Sequence, residues 1–189
     1  MLLSGSVALA AEGDPEAGKA RFYLCKGCHG IPGYSNVYPT YHVPKVGGQH
    51  PDYIVAALKA YQAGERKHGT MRGNAALSEK EMWDIAAYLA RFKAKTQEGP
   101  VTGDPQRGRK LAERCASCHG EDGIAPAPQF PILANQYESY LIKAMKDYQT
   151  GARKNPIMES MVKGLSEEDL RDIAAWYASQ PKGVTVVKE

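Results

Sequence analysis

Two five-residue runs hold most of the reactive side chains in this chain: Cys25-Lys26-Gly27-Cys28-His29 and Cys115-Ala116-Ser117-Cys118-His119. Together they use all four cysteines and two of the five histidines. On one helical turn, thiols three residues apart can each add across a vinyl group of one porphyrin, and the imidazole that follows is held under the iron as proximal ligand. Three other chemistries compete. A thioredoxin-type dithiol needs a βαβ setting, which the flanking sequence does not provide. A four-thiolate zinc site must close across the 87 residues from Cys28 to Cys115 and leaves both histidines without a role. Disulfides over so short a spacing tend to be strained, and again the histidines stay idle. Two covalently bound haem c groups, attached through Cys25, Cys28, Cys115 and Cys118 and ligated by His29 and His119, account for every residue of the pattern.

The runs occupy equivalent places in a repeat. Asp14-Pro15 returns as Asp104-Pro105, and both cysteine runs keep that offset of 90. After a three-residue deletion the offset is 87, where Tyr61-Gln62-x-Gly64-x-Arg66-Lys67 and Met71 match Tyr148-Gln149-x-Gly151-x-Arg153-Lys154 and Met158. One inserted residue then aligns Leu77-Ser78-Glu79 with Leu165-Ser166-Glu167. Two copies of this length make tandem domains rather than a solenoid. The expected division is 12–95 and 104–189, joined by a polar linker at 96–103.

Elimination narrows the sixth iron ligand. The three remaining histidines, His42, His50 and His68, all lie in the first copy, so the second has no spare imidazole. Of its methionines Met145, Met158 and Met161, only Met158 has a methionine counterpart, Met71. Both stand in loop-like stretches before the last helix of their copy, long enough to wrap to the far face of a cofactor. Met71 and Met158 are the expected ligands, with His68 the rival in the first copy. Met82 and Met145, on helical faces, read as core filling. Thioether opposite imidazole favours Fe(II) and leaves no position for peroxide or dioxygen, which suits an electron carrier rather than an enzyme.

The elements that must hold these groups are helical. Asp14 and Asp104 are N-cap residues with proline behind them, so a short helix runs into each cysteine pair. Gly/Pro-rich loops follow at 30–48 and 120–131. A second helix is expected at 52–63 and 137–150, with Gly64 and Gly151 just past its end. The last starts at Ser78 and Ser166, each with an acid three residues on, and carries apolar residues at i, i+3, i+4 and i+7. No strand is expected, and the fold class is all-α with three principal helices per domain.

The order C-x-x-C-H, P-x-x-x-x-Q (Pro44–Gln49, Pro131–Gln136), Y-Q-x-G-x-R-K, Met, L-S-x-x-[ED] resembles class I cytochromes c, and its doubling resembles the bacterial dihaem cytochrome c4 family. The resemblance runs from Asp14 to the end. It implies two class I cytochrome c domains, each wrapped around a covalent haem c, in a periplasmic shuttle often serving a terminal oxidase. The family's proximal histidines fall on His29 and His119 and its axial methionines on Met71 and Met158. The first copy departs in an extra aromatic loop, Tyr34–Tyr41, and in a spacing to Leu77-Ser78 one residue short. Pro44 and Pro131 are placed to offer a carbonyl to the proximal imidazoles. Arg66 and Arg153 read either as partners of haem propionates or as solvated basic turns.

Composition excludes other classes. Charged residues are 24% and hydrophobic residues 43%, which argues against a disordered chain or a multi-pass membrane protein. A net charge of +3 is too small to point to nucleic acid. Three Phe and two Trp are few for two cores, as in small domains built around a cofactor. The segment 1–11, apolar with Ala8-Leu9-Ala10 near its end, reads as a secretory signal too short to span a bilayer, implying export to the periplasm. Basic residues exceed acidic ones by four in 12–95, while 96–189 is near neutral, which marks the first domain as the docking face for a redox protein partner. The enzyme alternatives are a dihaem peroxidase or a thiosulfate-oxidising cytochrome, and a further one is a redox subunit of a periplasmic dehydrogenase.

Overall fold

The computed structural model describes residues 13–94, 96–97 and 99–188; the expected signal segment lies outside them. The first copy comprises α1 (Pro15–His29), a hairpin of β1 (Ser35–Val37) and β2 (Thr40–His42), α2 (Pro51–Gln62), α3 (Gly69–Asn74) and α4 (Glu79–Ala90). The second comprises α5 (Pro105–Ala112), a 3-10 turn at Glu113–Cys115, α6 (Ala116–His119), α7 (Glu138–Gln149), α8 (Pro156–Val162) and α9 (Glu167–Ala178). Each boundary has a local cause. The Asp14 carboxylate accepts from the Glu16 and Ala17 amides, and Asp104 from those of Gln106 and Arg107. Ser78 with Glu81 and Ser166 with Asp169 close reciprocal capping boxes. Gly64 and Gly151 take φ of +73° and +72° just past α2 and α7, as a left-handed C-terminal cap requires.

In each copy the first and last helices cross closely. Gly18 and Gly108 make the crossing possible, because a Cβ on either would stand 1.9 Å from the carbonyl oxygen of Asp84 or Asp172. The same aspartates tie the helix starts together: Asp84 accepts from the Asp14 amide and Asp172 from the Asp104 amide, both at 2.8 Å. Beneath the crossings lie two apolar clusters. One gathers Phe22, Ile54, Val55, Met82, Ile85 and Leu89; the other gathers Ala112, Leu141, Ile173, Ala174 and Tyr177. Met82 is buried in the first and Met145 packs against the second, the filler role expected of both.

Two expectations need correction. The first loop contains a three-residue antiparallel hairpin pairing Ser35 with His42 and Val37 with Thr40. Its extended residues Val37, Thr40 and Tyr41 favour a strand, but so short a run gives no readable alternation. Met71 and Met158 stand in short helices rather than loops. His68 caps α3 by accepting from the Met71 amide, and Asn155 caps α8 by accepting from those of Ile157 and Met158.

The copies meet across a pseudo-twofold seam. The Gln49 carboxamide donates to Ile132 O (2.9 Å) and accepts from Ile132 N (2.8 Å). Its repeat partner Gln136 does the same to Lys45, accepting from N and donating to O at 2.9 Å each. Lys67 N donates to Ala152 O, and Lys154 N donates to Glu65 O in return. The last residues break the symmetry. Thr185 bridges to Gly47, and Val187, 1% exposed, joins the apolar cluster of the first copy.

Candidate functional site

Cys25 and Cys28 lie one turn apart on α1, with His29 as its last residue; Cys115, Cys118 and His119 end the corresponding turn in the second copy. All four thiols are unpaired and half-buried. Burial pushes the Cys25 and Cys115 thiols up, against the pull of Arg21 and Arg114. Each also packs against the apolar cluster of its own copy. A neutral thiol in apolar surroundings is the opposite of the exposed, low-pKa thiolate of a dithiol oxidoreductase. Among the described residues no three His, Cys, Asp or Glu side chains converge on a metal-sized site, so the zinc arrangement is not built.

The histidines are prepared as ligands. His29 Nδ1 lies 2.9 Å from Pro44 O, and His119 Nδ1 lies 3.1 Å from Pro131 O. A carbonyl can only accept, so Nδ1 carries the proton and the Nε2 lone pair is left for a metal. Burial lowers the pKa of both imidazoles, in each case against the prolyl carbonyl, and so favours the neutral, ligating form. The other histidines are engaged elsewhere. His42 stacks on Tyr137 and bonds Ser139, while His50 Nε2 contacts Ala125 O.

Arg66 and Arg153 are not solvated turns. They pair as an isolated bridge across the seam, and each donates to the Tyr140 hydroxyl at 2.9 Å. Arg66 lies over the Tyr61 ring and Arg153 over those of Tyr140 and Tyr148. Burial pushes the Tyr140 phenol far up, against the pull of Arg66, so it remains a neutral acceptor for both guanidinium groups. This cluster, the glutamine clamps and the C-terminal strap escape sequence reasoning. Their signals in the sequence are the repeated Y-Q-x-G-x-R-K run for the arginines and the repeated P-x-x-x-x-Q run for the glutamines; the strap has none.

The donor set fits covalent haem on three counts: paired unoxidised thiols beside apolar clusters, a pinned neutral imidazole next to each pair, and the same frame built twice. The cytochrome c family model matches residues 15–93 and again 105–180. The chain belongs to the cytochrome c family. Its tandem dihaem form is that of cytochrome c4. It is 48% identical to cytochrome c4 of Pseudomonas aeruginosa over 84 residues, a stretch covering 44% of this chain and 42% of that protein. The chain thus matches under half the length of that relative. The solved cytochrome c4 of Acidithiobacillus ferrooxidans superposes with a TM-score of 0.74 at 29% identity, covering 84% of this chain and 99% of that one. The thiosulfate dehydrogenase TsdBA of Marichromatium purpuratum superposes with a TM-score of 0.76 at 26% identity, covering 88% of this chain and 40% of that one. This cytochrome therefore binds two haem c groups covalently, one at Cys25 and Cys28 and one at Cys115 and Cys118.

Proposed function

We propose that this cytochrome is a periplasmic carrier that accepts and donates single electrons, one at each of its two sites, and turns over no substrate of its own. Bound haem supplies a one-electron iron couple; the chain supplies its ligands, its burial and its partner contacts. His29 with Met71, and His119 with Met158, are the proposed axial pairs. The observation that carries this reading is that the two methionines occupy the same place in two equivalent frames, each on a short helix capped through the methionine's own amide. His68 performs in the first copy the capping task of Asn155 in the second, with its Nδ1 engaged 3.2 Å from Met71 N. This supports reading His68 as a cap and Met71 as the ligand. His29 with Met71 and His119 with Met158 would hold each haem so as to leave no place for peroxide or dioxygen, and the bound group would then supply electron transfer.

The ferric absorption spectrum tests the ligand set. A red-edge charge-transfer band that loses about half its intensity in Met71→Ala and again in Met158→Ala, and survives His68→Asn, is the expected result. Its absence from the wild-type protein, together with rapid peroxide binding, overturns the carrier reading in favour of an enzyme.

The partner is a redox protein that docks on the basic first domain, such as a terminal oxidase or an upstream donor. Exposed Lys67 and Arg72 flank Met71 on the chain, and reversing both charges is expected to slow association and flatten its salt dependence. The likeness to TsdBA supports a second reading, in which the donor is a thiosulfate-oxidising enzyme. Stopped-flow reduction by such an enzyme, and by a quinol-oxidising complex, separates the two.

A further inference from the structure

Two copies of one frame line their cores differently at several equivalent buried positions, Phe22 against Ala112 and Met82 against Leu170 among them, and at one the difference puts a hydroxyl in place of an aliphatic side chain. Tyr177 on α9 stands where the first copy has Leu89 on α4, and both are 2% exposed. Leu89 belongs to the apolar cluster that packs on Cys25, and Tyr177 to the cluster that packs on Cys115. The second site therefore has a phenol where the first has an aliphatic side chain. The Tyr177 hydroxyl is fully enclosed and makes no well-formed hydrogen bond among the described residues. Cys115 packs against the same cluster, and its thiol and the Tyr177 phenol perturb one another. An enclosed hydroxyl without a partner is costly, and tyrosine usually enters a core where its O–H finds an acceptor.

We propose that Tyr177 sets the second site apart from the first: in the haem-loaded protein its O–H donates to the Cys115 thioether sulfur, and the positive end of that dipole favours the reduced state of the second site. A thioether sulfur is a weak acceptor, but in a dry, low-dielectric pocket an oriented hydroxyl dipole acts at close to full strength. Leu89, at the equivalent position of the first site, offers no such dipole. The carrier would then hold its electron preferentially on the second domain. This rests on covalent attachment at Cys115 and is independent of which residue supplies the sixth ligand.

Tyr177→Phe removes the oxygen and keeps the ring. In a redox titration resolving both haems, it is expected to shift the second site about threefold toward the oxidised form. With 59 mV per tenfold change for one electron, that is a potential lower by about 30 mV. The first site should not move, and Tyr177→Leu, which installs the residue of the first copy, should shift the second site the same way. Unchanged potentials in folded, fully loaded Tyr177→Phe, or equal shifts at both haems, overturn the proposal. Should the variants fail to fold, the wild-type protein decides. Its resonance Raman C–S stretch at the second site should shift on exchange into D2O, and an insensitive band refutes the hydrogen bond. A mass spectrum without a haem adduct on Cys115 would instead refute the parent reading of covalent attachment.

Discussion

Gln49 and Gln136 are equivalents in the repeat, equally buried at 5% exposure, and each holds the backbone N–H and C=O of one residue across the seam. Their truncation to alanine should nonetheless differ in cost. Gln49→Ala releases Ile132, which is half-buried, so water can reach the freed groups. Gln136→Ala releases Lys45, 2% exposed, whose amide and carbonyl are left without solvent. A hydrogen bond replaced by water costs about 1 kcal/mol net or less, whereas a buried group left unpaired costs about 1–3 kcal/mol. Two bonds are involved at each site, so up to about 2 kcal/mol is expected for Gln49→Ala and about 2–6 kcal/mol for Gln136→Ala. Each variant also frees one local amide, that of His50 or Tyr137, and this contribution cancels between them. Urea unfolding of the haem-loaded protein, followed by far-UV circular dichroism, measures both losses, provided the slope of the transition is unchanged. Equal losses, or a larger one for Gln49→Ala, would refute the claim that solvent access to the partner backbone sets the strength of each clamp.

Other outcomes follow from the same structure. Gly108→Ala places a methyl 1.9 Å from Asp172 O and is expected to cost more than about 3 kcal/mol or prevent folding, because the obstacle is backbone. Gly27→Ala meets no atom within 4 Å and should raise the melting temperature, since alanine improves a helix interior by about 0.5–1 kcal/mol. The carboxyl pKa values of Asp84, Asp169 and Asp172 are lowered in the folded chain: Lys80 leads the cause at Asp84, the Ser166 amide at Asp169, and at Asp172 Arg107 and the Asp104 amide overcome burial. Such groups stabilise the fold above their unfolded pKa of about 4, and that stability is lost as pH falls through the lowered folded values. Acid titration should therefore show a decline starting near pH 4, shallower in Asp172→Asn. Val187→Ala, in the last residues of the chain, should destabilise the first domain by about 1–3 kcal/mol, read as lowered hydrogen-exchange protection in α1 and α4.

Local chemistry was legible in the sequence, and contacts between distant segments were not. The Asp-Pro starts, the Ser-x-x-acid boxes and the glycines past α2 and α7 act within four residues, so the residues themselves report them. The prolyl carbonyls behind His29 and His119 were anticipated because a ligating imidazole needs an acceptor at its other nitrogen. The short helices under Met71 and Met158 were missed because six or seven residues show little periodicity, and a histidine cap at His68 resembles a ligand. The seam was invisible for a different reason. Gln49, Arg66 and Tyr140 are polar residues whose partners lie 74–83 positions away, and nothing in their neighbourhoods marks them as interior.

The valine-rich segment at 184–187 has a consequence for how the molecule is made. Val184, Val186 and Val187 are all buried, and the last of them completes a cluster assembled from residues 22–89. The first copy thus stays short of one wall until Val187 arrives, so vectorial synthesis or translocation of residues 13–94 alone cannot complete it. Haem insertion at Cys25 and Cys28 would meet a lobe still open.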